Sequence, residues 1–303
     1  MNNIIQKIKM QYGGVYKDDG LTIIKVSGTD NIKFLQGQLT NDLENLSDLY
    51  IKASYCTHQG KVITNMQIFL SDDEVILIVP KKLGEYFIEK ISKYILMSDV
   101  KFIEYKDNTV LWALDDKALE LINEYKINEQ GLYKKLSPTE YVINMSDKDS
   151  YRFRYIQLST DNECRIKFTL PNQYQTCLID MLSMHSRLKN NNIEKYIPQV
   201  LNSDRLETVS YKKGCYTGQE VIARTHYLGN VKKHLYLICV KSSIGVDSNV
   251  VNKDGESVGE LIGEKFQHDG SLLSHCILRD SSDFSDLLIS NERVTVLSME
   301  ETA

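Results

Sequence analysis

Residues 212 to 220 read KKGCYTGQE, a cysteine between two glycines, behind two lysines and just ahead of a helical pattern. Gly214 and Gly218 permit positive φ or close approach of a ligand to the backbone, so the spacing predicts a tight exposed turn. Thr217-Gly218-Gln219-Glu220 fits a T-x-x-E capping box, with Thr217 as N-cap and Glu220 reaching back to its amide. Val221, Ile222 and Ala223 continue a short helix that Gly229 closes. Cys215 then lies two residues before a helix N-terminus, with Lys213 close in sequence. That setting favours thiolate and would make Cys215 a nucleophile or a soft-metal ligand. The same pattern describes a small apolar cysteine packed into a capped turn, and spacing does not decide between the two. His185, His226 and His234 are candidate bases for a Cys/His pair by number only. Arg224 either clamps a carboxylate or pairs with Glu220 one helical turn back.

Downstream the texture changes. From about Val231, HLYLICV, SNVVN, GESVGELIG, SLLSHCIL and ERVTVL are short β-rich runs with Asp-Gly turns at 254–255 and 269–270, and the only helical pattern is a doubtful DFSDLL. This predicts a small all-β terminal domain, sandwich or barrel. Upstream, LTIIKV (21–26) reads as a strand. The following SGTDNIKFLQGQLTNDLENL carries Ile32, Leu35, Leu39, Leu43 and Leu46 at helical spacing, with Ser27 and Asp30 suited to a capping box. KVITNMQIFL and EVILIVP flank a turn and predict a hairpin. A helix near 82–96, strands at VKFIEY and TVLWAL, and a helix over DDKALELINEY follow. Hairpins mixed with helices, instead of strict βαβ alternation, predict an α+β fold.

The totals set limits on function. A chain of 303 residues, 42% hydrophobic and sparse in Gly and Pro, folds into more than one packed unit and needs no staple. The start, MNNIIQKIKMQYGG, has no apolar core for a signal peptide, and no run approaches the ~18–20 apolar residues of a membrane span. A soluble, cytoplasmic protein with no membrane partner is expected. Cys56, Cys164, Cys177, Cys215, Cys239 and Cys276 are scattered, with no C-x-x-C and no Cys/His cluster at zinc spacing, which predicts free thiols and no preformed metal site. A net charge of −5 gives no support to a nucleic-acid partner. Locally, however, Lys212, Lys213, Arg224, Lys232 and Lys233 face a single acid, Glu220, between Tyr211 and Leu235. Such a cluster meets an anionic small molecule, or else is a solvated basic face.

KKGCYTGQEVIART, followed by Gly229 and the pair Lys232-Lys233, resembles the signature of the YgfZ-type folate-binding proteins. These are relatives of the glycine-cleavage T-protein and of mitochondrial iron–sulfur assembly factors. SGTDNIKFLQGQLTNDL, CTHQGKVITNMQIF and YIPQVLNSDRLETVSYKKGC resemble further family segments, so the likeness spans nearly the whole chain. The resemblance implies an α+β fold: interleaved aminomethyltransferase-like folate-binding subdomains over residues 1–228, around a central opening, and a C-terminal all-β barrel over 229–303. It implies tetrahydrofolate or a derivative as cofactor in the central cavity. It further implies a role in maintaining iron–sulfur enzymes, with client enzymes or assembly proteins as partners and tRNA modification as an indirect output, not direct tRNA binding. The family's motif cysteine matches Cys215 and its motif lysine Lys213, the pair expected to carry the chemistry; Gly214, Tyr216, Gly218, Gln219, Glu220 and Arg224 stand as the expected cofactor-binding residues.

Two departures qualify what the resemblance implies. Aminomethyltransferases carry an Asp-Asp pair after a Gly-Gly, where this chain has Gly60-Lys61-Val62-Ile63-Thr64-Asn65. Without that carboxylate, ordinary T-protein activity loses its acid/base group. The alternative is a folate-dependent one-carbon transferase acting on another substrate. At Arg187-Leu188-Lys189-Asn190-Asn191-Asn192 the family commonly has Gly-Ile-Pro after its arginine, so ligand contacts there do not carry over.

Overall fold

The computed structural model describes residues 5–297, apart from 6, 9, 10, 12, 45, 47, 148–149, 160–162, 171–177, 190, 242–247 and 281–282. Cys177 and Asn190 therefore lie outside the described residues.

Two antiparallel sheets and one barrel make up the molecule. The first sheet runs β3 (Ile51–Cys56), β4 (Val62–Ser71), β5 (Glu74–Pro80), β2 (Leu21–Ser27), β6 (Lys101–Tyr105). The second runs β1 (Val15–Lys17), β7 (Thr109–Leu114), β10 (Arg152–Gln157), β9 (Glu140–Asn144), β8 (Tyr133–Ser137). The chain starts in the second sheet, builds all of the first, then returns, so the two α+β units interleave as expected. The barrel closes β11 (Lys233–Val240), β14 (Ser271–Arg279), β13 (Ser257–His268), β12 (Asn249–Val251), β15 (Leu288–Ile289) and β16 (Glu292–Leu297) into a ring by pairing β16 back onto β11. DFSDLL forms only a short 3₁₀ turn over Phe284–Asp286, capped by the Asp283 carboxylate.

The apolar runs are continuous because both faces of these strands are buried. On β5, Ile76 and Ile78 join a core shared with Trp112 of β7, Ile156 of β10 and Leu235 and Leu237 of β11, while Val75, Leu77 and Val79 turn to Phe87 and Ile91 of α2 (Gly84–Ser92). On β7, Leu111 and Ala113 pack instead against Ala118, Leu121 and Ile122 of α3 (Asp115–Tyr125). One shared core thus holds both sheets and the barrel together.

Its polar centre is an ion network. Arg154 of β10 donates to Gln67 Oε1 (2.8 Å) on β4 and to Asp180 Oδ1 (3.0 Å) on α4 (Leu178–Leu182). Arg187 binds Asp180 and, through Nη1 (2.9 Å), Asp18 in the β1–β2 turn. Burial pushes the Asp180 carboxyl up, but Arg154 and Arg187 outweigh it and hold the group well below the usual carboxylate range. The family-departing stretch after Arg187 therefore begins at a structural arginine.

Two sequence expectations need correction. The helix after Gly28 is α1 (Asn31–Gln36) and stops at Gly37, well short of Leu46. Leu39 pairs with Tyr55 as an isolated bridge and Thr40 N donates to Ser54 O, while Leu43, in irregular chain, donates its amide to Gln36 Oε1, so neither is buried on a helical face. The Ser27–Asp30 capping box is also absent. Asp30 holds the N-cap position but its side chain makes no cap hydrogen bond; its carboxylate accepts from Asp99 N, and Asp99 in turn accepts from Thr29 N and Oγ1.

Candidate functional site

The three segments that flank KKGCYTGQE in the family comparison converge on it. Lys213 is buried, and its Nζ donates to the carbonyls of Leu39 (2.8 Å) and Asn41 (2.6 Å), with the Tyr216 ring 5.2 Å from the ammonium. Burial lowers its pKa to about 8, against the opposing pull of Asp42 and Glu44. Thr217 N donates to Gly37 O, and Thr217 Oγ1 to Gln38 Oε1. Gly218 sits at φ +84° with the Thr57–Gly60 turn pressed against it, so a Cβ there would collide with the Thr57 carbonyl. From the third segment, Gln199 Nε2 donates to Ile222 O (2.8 Å), Asn202 Nδ2 to Leu235 O on the barrel (2.8 Å), and Asp204 accepts from Tyr211 OH (2.6 Å).

These ties revise the capping assignment. The helix is α5 (Gln219–Leu228) and its N-cap is Gly218, not Thr217, because Thr217's hydroxyl is committed to Gln38 and the turn against Gly218 requires left-handed backbone. Gly229 closes the helix, its N–H bonding Thr225 O. Glu220 and Arg224 both face solvent and form no ion pair with each other among the described residues. Cys215 lies three residues before the cap and is the exposed thiol of the loop; the other described cysteines are buried or, for Cys164, half-buried. Gly214 has nothing within 4 Å of a built Cβ, so the backbone carrying Cys215 stands clear. Tyr216 is buried, and Gln219 reaches only Gly214 O at 3.5 Å. Among the described residues none of the three histidines proposed as bases is hydrogen-bonded to the sulfur: His185 is buried and its Nδ1 has no partner among them, His226 stacks on Tyr211, and His234 bonds Asp280.

Beside this loop lie two adjoining chambers that share part of their wall. The inner one, about 230 Å³, is lined from β10, α4 and the segment 202–207, including Met145, Asp147, Arg152, Met184 and Arg205. The outer one, about 960 Å³, reaches Asn41, Tyr211, Lys212, His226 and Tyr227; Tyr50, Lys52, Gln130, Leu206 and Glu207 line both. Tyr211 and His226 stack with ring centroids 3.7 Å apart and planes 15° from parallel, with Tyr227 edge-on to both. Arg152 is paired with Asp147, whereas Lys52, Arg205 and Lys212 make no ion pair among the described residues. Against them stands Glu207 alone, so the walls carry two positive charges in excess in a chain of net charge −5. Such a cavity suits a ligand with a flat ring system and an anionic end.

None of Gly214, Cys215, Tyr216, Gly218, Gln219, Glu220, Arg224 or Lys213 lines these two chambers. The wall residues escaped sequence reading, apart from Lys212 in the basic cluster and His226 among the histidines. At the position of the transferase carboxylate, Thr64 is fully buried; Asn65 is spent on Ser54 Oγ (2.7 Å) and Ser186 O (3.2 Å). Among the described residues no group of three or more His, Cys, Asp or Glu could hold a metal ion, and no helix is long and apolar enough to cross a membrane.

The architecture is that of the aminomethyltransferase class: 97% of the chain superposes with a TM-score of 0.73 on 88% of the glycine cleavage system aminomethyltransferase T from Bartonella henselae, at 10% sequence identity, a likeness of fold alone. No family model matches the chain. In sequence it is similar to the YgfZ proteins: 27% identical over 284 residues to the tRNA-modifying protein YgfZ of Aliivibrio fischeri (strain MJ11), covering 89% of this chain and 83% of that protein. To the YgfZ of Yersinia enterocolitica it is 25% identical over 288 residues, covering 90% and 83%. The chain is thus similar in sequence to the YgfZ proteins and in fold to the glycine-cleavage T-protein, as the resemblance of KKGCYTGQE implies.

Proposed function

We propose that the chain is a tetrahydrofolate-binding accessory protein for the assembly or repair of iron–sulfur clusters, supporting tRNA modification indirectly, with Cys215 as its key thiol. The observation that carries this reading is the cationic two-chamber cavity beside the loop that displays Cys215. A tetrahydrofolate would supply a one-carbon carrier or a reduced pterin. Lys52, Arg205 and Lys212 would meet its glutamyl carboxylates, and the Tyr211–His226 stack its aryl ring. The motif residues act on the loop: Lys213 and Thr217 fasten it, Gly218 admits the Thr57–Gly60 turn, and Gly214 leaves Cys215 accessible. Client enzymes or assembly proteins then meet the exposed sulfur in a cytoplasmic setting.

Ordinary aminomethyl transfer is the weaker reading, because Thr64 and Asn65 offer no carboxylate and are hydrogen-bonded into the fold. The test is complementation of a strain lacking this protein. Cys215→Ser is expected to leave iron–sulfur enzyme activity at the deletion level, while Cys164→Ser restores it fully. Full restoration by Cys215→Ser would remove the thiol role.

A further inference from the structure

One buried amine ties the loop that carries the exposed thiol to a residue of the cavity wall. Asn41 lines the outer chamber, and its Nδ2 donates to the carbonyls of Lys52 and Glu207, both 2.7 Å away and both residues of the two-chamber wall. The carbonyl of the same Asn41 accepts from Lys213 Nζ at 2.6 Å, two residues before Cys215. Lys212, whose side chain lines the outer chamber, precedes Lys213 directly. Lys213 is 9% exposed and forms no ion pair among the described residues; its ammonium rests on two carbonyls and an aromatic face. A buried ammonium without a carboxylate is costly, and an apolar side chain would fill the same space more cheaply, so its presence here points to a task other than packing.

We infer that Lys213 is a positioning residue that couples occupancy of the cavity to the reactivity of Cys215, resting on the folate reading above for the identity of the occupant. A ligand that draws in Lys52, Glu207 or Lys212 acts on Asn41 and on the loop together, and the Lys213 bridge passes the restraint to the cysteine. A wall fixed in this way reduces the excursions that present the sulfur to reagents.

The experiment measures alkylation of Cys215 by iodoacetamide, followed by peptide mass spectrometry, with and without 5-formyl-tetrahydrofolate at a concentration that saturates each protein. In the wild-type chain the ligand is expected to slow Cys215 about fivefold, within the usual range of such coupling, and to leave Cys164 unchanged. In Lys213→Met the slowing disappears, and in Lys213→Arg it returns. Equal Cys215 rates with and without bound ligand in the wild-type chain would overturn the coupling and leave the folate reading intact; so would slowing that persists in Lys213→Met. Absence of saturable binding would overturn the folate reading, and this inference with it.

Discussion

Gly218 and Gly214 differ by four positions and by everything that surrounds them. At Gly218 the backbone is left-handed and a Cβ would strike the Thr57 carbonyl and lie 3.0 Å from Gly60 Cα; at Gly214 a Cβ meets nothing. Gly218→Ala should therefore destabilise the protein by about 1–3 kcal/mol, and Gly214→Ala by less than about 0.5 kcal/mol, read from urea unfolding midpoints. Equal costs at the two sites would contradict the packing described. His185 and His275 give a second check. Burial lowers their pKa values to about 3 and about 4 from an ordinary 6.5, so both are neutral in the folded chain. The unfolded chain takes up these protons as pH falls below about 6.5 and the folded chain does not, so stability falls with pH from there towards 4. A loss on the order of 3 kcal/mol between pH 6.5 and 5 follows; a flat profile across that window would refute it. Cys215 could be read from sequence as the notable residue of an exposed turn, but not the exposure of its own sulfur, since the same letters describe a small apolar cysteine packed into a capped turn.

The helices and strands were legible where a local pattern and its burial agree, as in the β4–β5 hairpin and in α3. They were misread where a tertiary contact supplies the burial. Leu39 and Leu43 keep helical spacing, yet the chain leaves the helix at Gly37 so that Leu39 bridges Tyr55 and the carbonyls of Leu39 and Asn41 turn to Lys213. Thr217 satisfies a capping rule that Gln38 and the Thr57–Gly60 turn override. Nor does sequence reveal that α4, β10 and the β1–β2 turn are held by Arg154, Arg187, Asp180 and Asp18, since the four come from separate segments. Asp180→Asn leaves two buried guanidinium groups sharing Asp18 and should cost about 3–5 kcal/mol. Thermal denaturation within experimental error of the wild type would show that the network contributes nothing.

Three packed bodies around one core leave the chain a cationic cavity lined from the two sheet units and the 202–227 segment, and an exposed thiol on the adjoining loop. The change of texture near Val231 announced the barrel, and the hairpin-with-helix mixture announced the α+β region, because each follows from short-range periodicity. The cavity did not announce itself: Lys52 comes from β3, Arg205 and Glu207 from an irregular segment, and Tyr211 and His226 meet across fifteen residues of chain. Only the folded arrangement gathers those charges into one wall. If that wall holds folate, reversing its charge must abolish binding without unfolding the chain, since Lys52 and Lys212 make no ion pair among the described residues. Isothermal titration of 5-formyl-tetrahydrofolate into the wild-type chain and into Lys52→Glu/Lys212→Glu decides it. Saturable one-site binding that weakens more than about tenfold on reversal, a cost of about 1.4 kcal/mol or more, is the predicted result; no saturable binding, or an affinity unmoved by the reversal, would contradict it.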